Sequence, residues 1–160
     1  MAITSAICNS FKEEILQGGH CLNASGSTAA GNTIKCALYS ANDAVLSAST
    51  TQWTVASDPT ADPTNTYEVT TTGSGYSSGG NTLTSTTPVV NGDSACCLFA
   101  TTSWGSTASF TARGCLIYNS SASNKSVCSI NFGADKTVTS GTFTIEFPAQ
   151  TAGNAIIEIT

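Results

Sequence analysis

The chain has 160 residues, with five Lys and Arg against ten Asp and Glu, one His, seven Cys and a formal net charge of -5. Only 9% of residues are charged, against roughly 25% in an ordinary soluble domain, while Ser and Thr supply about three residues in ten. The cations stand far apart, at Lys12, Lys35, Arg113, Lys125 and Lys136, so the basic stripe that phosphate neutralisation requires is missing and neither nucleic acid nor an anionic membrane is an expected partner.

The length and a 40% apolar content suit one β-rich domain over residues 1–160, with 1–20 an N-terminal arm and helix. Met1 to Cys8 lacks the cationic start and long apolar run of a secretory signal, so synthesis and folding in a cytoplasm are expected. Ser10-Phe11-Lys12-Glu13 then has the form of a capping box, with Ser10 as the N-cap. Phe11, Ile15 and Leu16 share one side, and Gly18-Gly19 supplies the left-handed stop, which predicts a short amphipathic helix over about 11–17.

Beyond Gly19 the pattern is strands and turns. Thr33 to Tyr39 alternates with Ile34, Cys36 and Leu38 on one face, and Ala95 to Phe99 is a short apolar strand buried on both sides. From Ala108 to Tyr118, alternation sets Phe110, Ala112, Leu116 and Tyr118 against Thr111, Arg113, Cys115 and Ile117, with Gly114 marking a bulge or a close backbone approach. Cys128, Ile130 and Phe132 form one face, Phe143, Ile145 and Phe147 another, and Ala155 to Thr160 a last strand. The fold class read from this is mainly β, an antiparallel β-sandwich with one short N-terminal helix and long Ser/Thr/Gly-rich loops at Ala48 to Asn65 and Thr70 to Val89.

The second of those loops holds Gly73-Ser74-Gly75-Tyr76-Ser77-Ser78-Gly79-Gly80. No Lys lies in it and no helix follows, so it is no phosphate-binding loop; binding or subunit contact is its expected work. The cysteines show no Cys-x-x-Cys spacing and read as buried free thiols, with no metal site and no cofactor expected. A Cys8 to Cys21 disulfide would need oxidising surroundings.

Catalysis finds little support. His20 reads as a helix-end cation or loop donor, and Gly73-Ser74-Gly75 is too short to be a nucleophile elbow. Among Asp43, Asp58, Asp62, Glu68, Asp93, Asp135, Glu146 and Glu158, no spacing nominates a glycosidase pair. Asp58 and Asp62 flank prolines, where a turn is favoured over a calcium loop. Trp53, Tyr67, Tyr76 and Trp104 sit in or beside polar loops, where they cap a core, anchor an interface or stack on a sugar.

Asn9-Ser10-Phe11-Lys12 with Gly18 and His20, Lys35 to Tyr39, Tyr67-Glu68-Val69, Gly73 to Gly80, Thr111 to Gly114, Ile117-Tyr118-Asn119 and Phe132 to Lys136 form a succession covering nearly the whole chain. That succession resembles small structural proteins of tailed bacteriophages. The resemblance implies a virion structural protein, most simply a head decoration (cement) protein. Such a protein is made in the host cytoplasm and sits on the outer surface of the head. Its partners are the major capsid protein and copies of itself, with a trimer favoured. An acidic, nearly uncharged surface suits the outside of a DNA-filled shell. Phe11, Lys12, Ile15, Trp53, Tyr76 and Trp104 are the interface candidates, together with the Gly73 to Gly80 loop. A tail, neck or fibre-associated position and a carbohydrate-binding β-sandwich with Trp53 and Trp104 as platform are the alternatives.

Overall fold

The computed structural model describes residues 3–23, 31–40, 46–53 and 67–160. Asp43, Asp58 and Asp62, and with them the calcium-loop reading, lie outside the described residues. The chain is mainly β: among the described residues two antiparallel sheets and one short α-helix form a β-sandwich-like fold. The larger sheet runs β1 (Ala6–Ile7), β7 (Lys125–Ile145), β6 (Thr102–Asn119), β2 (Ile34–Tyr39), β3 (Asn81–Thr82) in spatial order. The smaller runs β4 (Val89–Asn91), β5 (Ser94–Cys97), β8 (Ile157–Ile159).

Helix α1 spans Asn9–Leu16 and buries Phe11. The expected capping box does not form: the helix begins one residue before Ser10, its N-cap is Cys8, and no side chain caps it. Tertiary bonds do that work instead, because Cys8 N–H donates to the Val127 carbonyl and Asn9 N–H to that of Ala48. At the other end Gly18 takes φ +75 and Gly19 N–H returns to the Glu14 carbonyl, the left-handed stop that the two glycines predict.

The two long strands β6 and β7 form a hairpin closed by a 3-10 turn at Ser120–Ala122. Asn119 holds that turn by accepting from Ser121 N–H through its side chain. Register shifts between Ala112 and Gly114 confirm the bulge, and a Cβ on Gly114 would lie 2.5 Å from the Ile130 carbonyl oxygen. The bulge also corrects the expected faces. Phe110 and Ala112 share a core with Cys115 and Ile117, whereas Leu116 and Tyr118 belong to a second core on the opposite face.

The centre of the large sheet is therefore buried on both sides. Ile34, Cys36 and Leu38 pack with Cys97, Phe99 and Ile157 of the small-sheet side, while Ala37, Tyr39, Leu116 and Tyr118 pack under Ile3, Leu46 and Trp53. All seven cysteines are free thiols, so the Cys8 to Cys21 bridge is absent. Six of them are buried and Cys21 is half-buried. Burial pushes the Cys97 thiol up to about 11 and that of Cys8 to about 12, which leaves both protonated at neutral pH.

Candidate functional site

The six interface candidates divide into two groups. Trp53, Tyr76 and Trp104 are at most 8% exposed. Trp53 stacks on Tyr118 at 5.1 Å, and Trp104 packs against Tyr76, Phe110 and Phe143. Their rings cap the core, and neither tryptophan offers an open face to a sugar. The Gly73 to Gly80 loop is fastened down in the same way. Tyr76 Oη donates to Glu68 Oε1 at 2.7 Å, Gly79 N–H donates to the same oxygen at 2.6 Å, and Ser78 Oγ donates to Oε2. Tyr118 Oη closes the loop onto the sheet through the Gly79 carbonyl. Burial first, and the Glu68 charge second, hold the Tyr76 hydroxyl far above its ordinary range, so it stays neutral, donating to Glu68 and accepting from Leu38 N–H at 3.0 Å.

The single imidazole is spoken for as well. His20 Nε2 donates to Glu14 Oε2 at 2.7 Å, and Asn119 Nδ2 donates to His20 Nδ1 at 3.0 Å. Lys125 Nζ meets the other Glu14 oxygen at 2.9 Å. With Asn32, which accepts from Asn119 and from Cys21 N–H, these groups latch α1 and the following segment to the hairpin. Burial pushes the Glu14 carboxyl up, but the Lys125 and His20 bonds outweigh it and hold the carboxyl below its ordinary value. Among the described residues no group of three or more His, Cys, Asp or Glu is placed to hold a metal ion, and no helix is long and apolar enough to cross a membrane.

Phe11, Lys12 and Ile15 come together elsewhere, Phe11 as a core residue only 2% exposed, Ile15 half-buried and Lys12 exposed. They line a groove of about 310 Å³ between α1 and β8, whose walls also carry Ile7, Leu16, Ile157, Glu158, Ile159 and Thr160. Cross-strand register then explains what flanks the groove. Val90 lies opposite Ala95 and Ala95 opposite Ile159, so one row of three side chains crosses the whole small sheet on a single face. All three are exposed, Val90 to 80% and Ile159 to 54%, and Leu16 beside them to 89%. The exposed large hydrophobic residues among those described are Leu16, Val89, Val90 and Ile159, and every one belongs to this sheet or to the helix flanking it.

Sequence reasoning missed Val89, Val90 and Ile159. The signal for the first two was present in Asn91-Gly92: a Gly in a two-residue connection marks a tight hairpin, and Gly92 does take φ +62 between β4 and β5. On the third strand Glu158, which also borders the groove, accepts from Gly153 N–H at 2.8 Å. A second apolar depression of about 430 Å³ lies along the hairpin, where Phe132, Phe143, Ile145 and Phe147 meet Ile130 and Ile156. Its aromatic rings are half-buried and pack on the core. Chemically, then, the described surface offers adhesion through an apolar strip with Lys12 and Glu158 at its groove. Compared with known proteins, the chain matches no protein-family model, no curated protein and no solved structure.

Proposed function

We propose that the chain is a virion structural protein of a tailed bacteriophage, of the head-decoration type, which binds the outside of the head and stabilises contacts between capsomers. Its partners in this reading are the major capsid protein and further copies of the chain. The observation that carries the proposal is the apolar row Val90, Ala95 and Ile159 beside Leu16, set on a body with only 9% charged residues. A surface strip of this kind is uncommon on a solitary soluble protein and marks contact sites.

The work done is mechanical. Burying a Val, Leu or Ile side chain on a partner contributes about 1.5–3 kcal/mol, so a few such contacts give a modest single interface. Attachment at several points on one shell makes the later contacts intramolecular and the sum tight. Because few charges have to leave water, little of that gain is lost to desolvation. The net charge of -5 suits a position outside packaged DNA, where no phosphate has to be neutralised.

Immunogold labelling of virions with an antibody to the chain tests the position. Label on heads, and recovery of heat resistance when purified protein is added back to stripped heads, are expected. Label confined to tails would move the protein to a tail or neck role. Unlabelled virions would overturn the reading.

A further inference from the structure

The small sheet has two free edges, and they are complementary. β4 ends it on one side and β8 on the other, so each presents backbone donors and acceptors that no strand of the same sheet takes up. The groove between α1 and β8 runs along the second of these edges, with Ile15, Leu16, Ile157 and Ile159 on its walls. We propose that β4 of one copy of the chain seats in this groove of the next copy and adds to β8 as a further strand, so that the three-stranded sheet continues from copy to copy. The contact deepens the decoration reading by naming the self-contact of that same site, although it holds for any body to which the assembly attaches.

Four observations point to a second copy as the occupant. The exposed large hydrophobic residues fall in pairs on the two halves of the contact: Val89 and Val90 on the entering strand, Leu16 and Ile159 on the receiving groove. The row Val90, Ala95, Ile159 ends at both edges on an exposed aliphatic side chain, so a β4 added to β8 would set Val90 of one copy beside Ile159 of the next and carry the apolar row across the joint. Lys12 and Glu158 both border the groove; Glu158 accepts from Gly153 N–H, whereas Lys12 and, in the turn after β4, Asp93 have no ion-pair partner among the described residues. Added strand and groove therefore bring opposite charges as well as matching apolar surfaces.

Strand direction is the fourth observation. β4 and β8 are both antiparallel to β5, hence parallel to each other. A copy rotated about an axis along the strands offers its β4 parallel to β8, and each further copy adds by the same operation until the ring closes. Main-chain bonds supply affinity in strand addition, and the alternate side chains supply specificity. A two-fold contact of β8 with β8 would leave Val89 and Val90 uncovered.

The head-to-tail geometry has its own signature in mixing. Sedimentation velocity and native mass spectrometry on the full chain should give a closed oligomer. Val90→Lys and Ile159→Lys, each folded by circular dichroism, should each be monomeric alone. Mixed in equal amounts they should form a one-to-one dimer that grows no further, because one supplies an intact groove and the other an intact strand. Leu16→Glu replaces Ile159→Lys if the latter does not fold. A wild-type chain monomeric at high micromolar concentration, a Val90→Lys chain that assembles like wild type, or a mixture that stays monomeric would each overturn the contact. The two readings separate by cosedimentation with phage heads. Assembly without head binding retires the decoration role and keeps this contact, whereas head binding by a chain that stays monomeric does the reverse.

Discussion

The two sheets of this molecule treat their faces differently. The five-stranded sheet is covered twice: its central strands β2 and β6 carry fully buried side chains on both faces, with Leu38, Cys115 and Ile117 toward one core and Tyr39, Leu116 and Tyr118 toward the other. The three-stranded sheet is left partly open: its core-facing side is covered along only part of its length. Cys97 and Ile157 reach into the shared core, while Ala95 and Ile159, two residues along on the same face, and Val90 paired with Ala95 run past it into water. Stability therefore resides in the large sheet, and apolar surface left over for a partner resides in the small one. Substitutions in the first should change folding and leave contacts alone, and substitutions in the second should do the opposite.

The largest effect is expected at Gly80. Its φ is +68, and a Cβ there would sit 1.7 Å from the Cys36 carbonyl oxygen, inside β2. The obstacle is backbone, so no rotamer relieves it. Gly80→Ala should cost more than about 4 kcal/mol or prevent folding, read by urea denaturation. A variant of wild-type stability would mean that the Gly73 to Gly80 loop is not seated on the large sheet, and the contrast between the sheets would weaken.

Next come two apolar truncations chosen to set the centre of the large sheet against the open arm of its hairpin. Leu116 is fully buried in the second core, and Leu116→Ala should cost about 2–5 kcal/mol. Phe143 also faces apolar neighbours, but it is half-buried at the apolar depression along the hairpin. Phe143→Ala should cost less, about 1–2 kcal/mol, because part of the ring is already in water. Equal losses at the two positions would show that the hairpin arm is as closed as the centre.

A smaller and pH-dependent effect belongs to the latch between α1 and β7. Glu14 has its folded-state carboxyl held below the ordinary value by Lys125 and His20, which outweigh the opposing effect of burial. A depressed carboxylate contributes stability that is present above its unfolded-state value, about 4.3, and is lost as pH falls through the lower folded-state value. Glu14→Gln should cost about 1–2 kcal/mol at pH 7 and close to nothing at pH 2, measured by urea midpoints at both. A loss of the same size at both pH values would mean that packing, not charge, holds the latch.

Legibility in the sequence follows the same division. Alternation in Ile34, Cys36 and Leu38 and in Cys128, Ile130 and Phe132 identifies strands of the large sheet, because one face of each packs on the shared core. Gly114 is readable as a bulge, yet the number of residues that the bulge absorbs is not, so the faces of Leu116 and Tyr118 come out reversed. The capping box at Ser10 fails for a reason no local pattern contains: the first helical N–H groups are met by Val127 and Ala48, distant in the chain. Trp53, Tyr76 and Trp104 leave core, interface and sugar readings open in sequence because their neighbours are polar, and the folding of those segments back onto the sheets makes them core. In the groove, Phe11, Lys12 and Ile15 are legible from helical spacing. Their partners are not, since Val90 and Ile159 are placed beside Ala95 by strand pairing alone.

The smallest expected change in folding is at Val90 itself. The side chain is 80% exposed, so nearly all the apolar area that it removes from water on folding is already absent, and Val90→Thr keeps the β-branched shape that suits an edge strand. Unfolding free energy should shift by no more than about 0.5 kcal/mol. A loss above about 1 kcal/mol would mean that the open part of the small sheet is closed by the chain's own residues, in which case the apolar row is core and the division between a folding sheet and a contact sheet fails. A near-zero shift, with assembly weakened in the same sample, is the result this division requires. It separates what holds the chain together from what the chain holds.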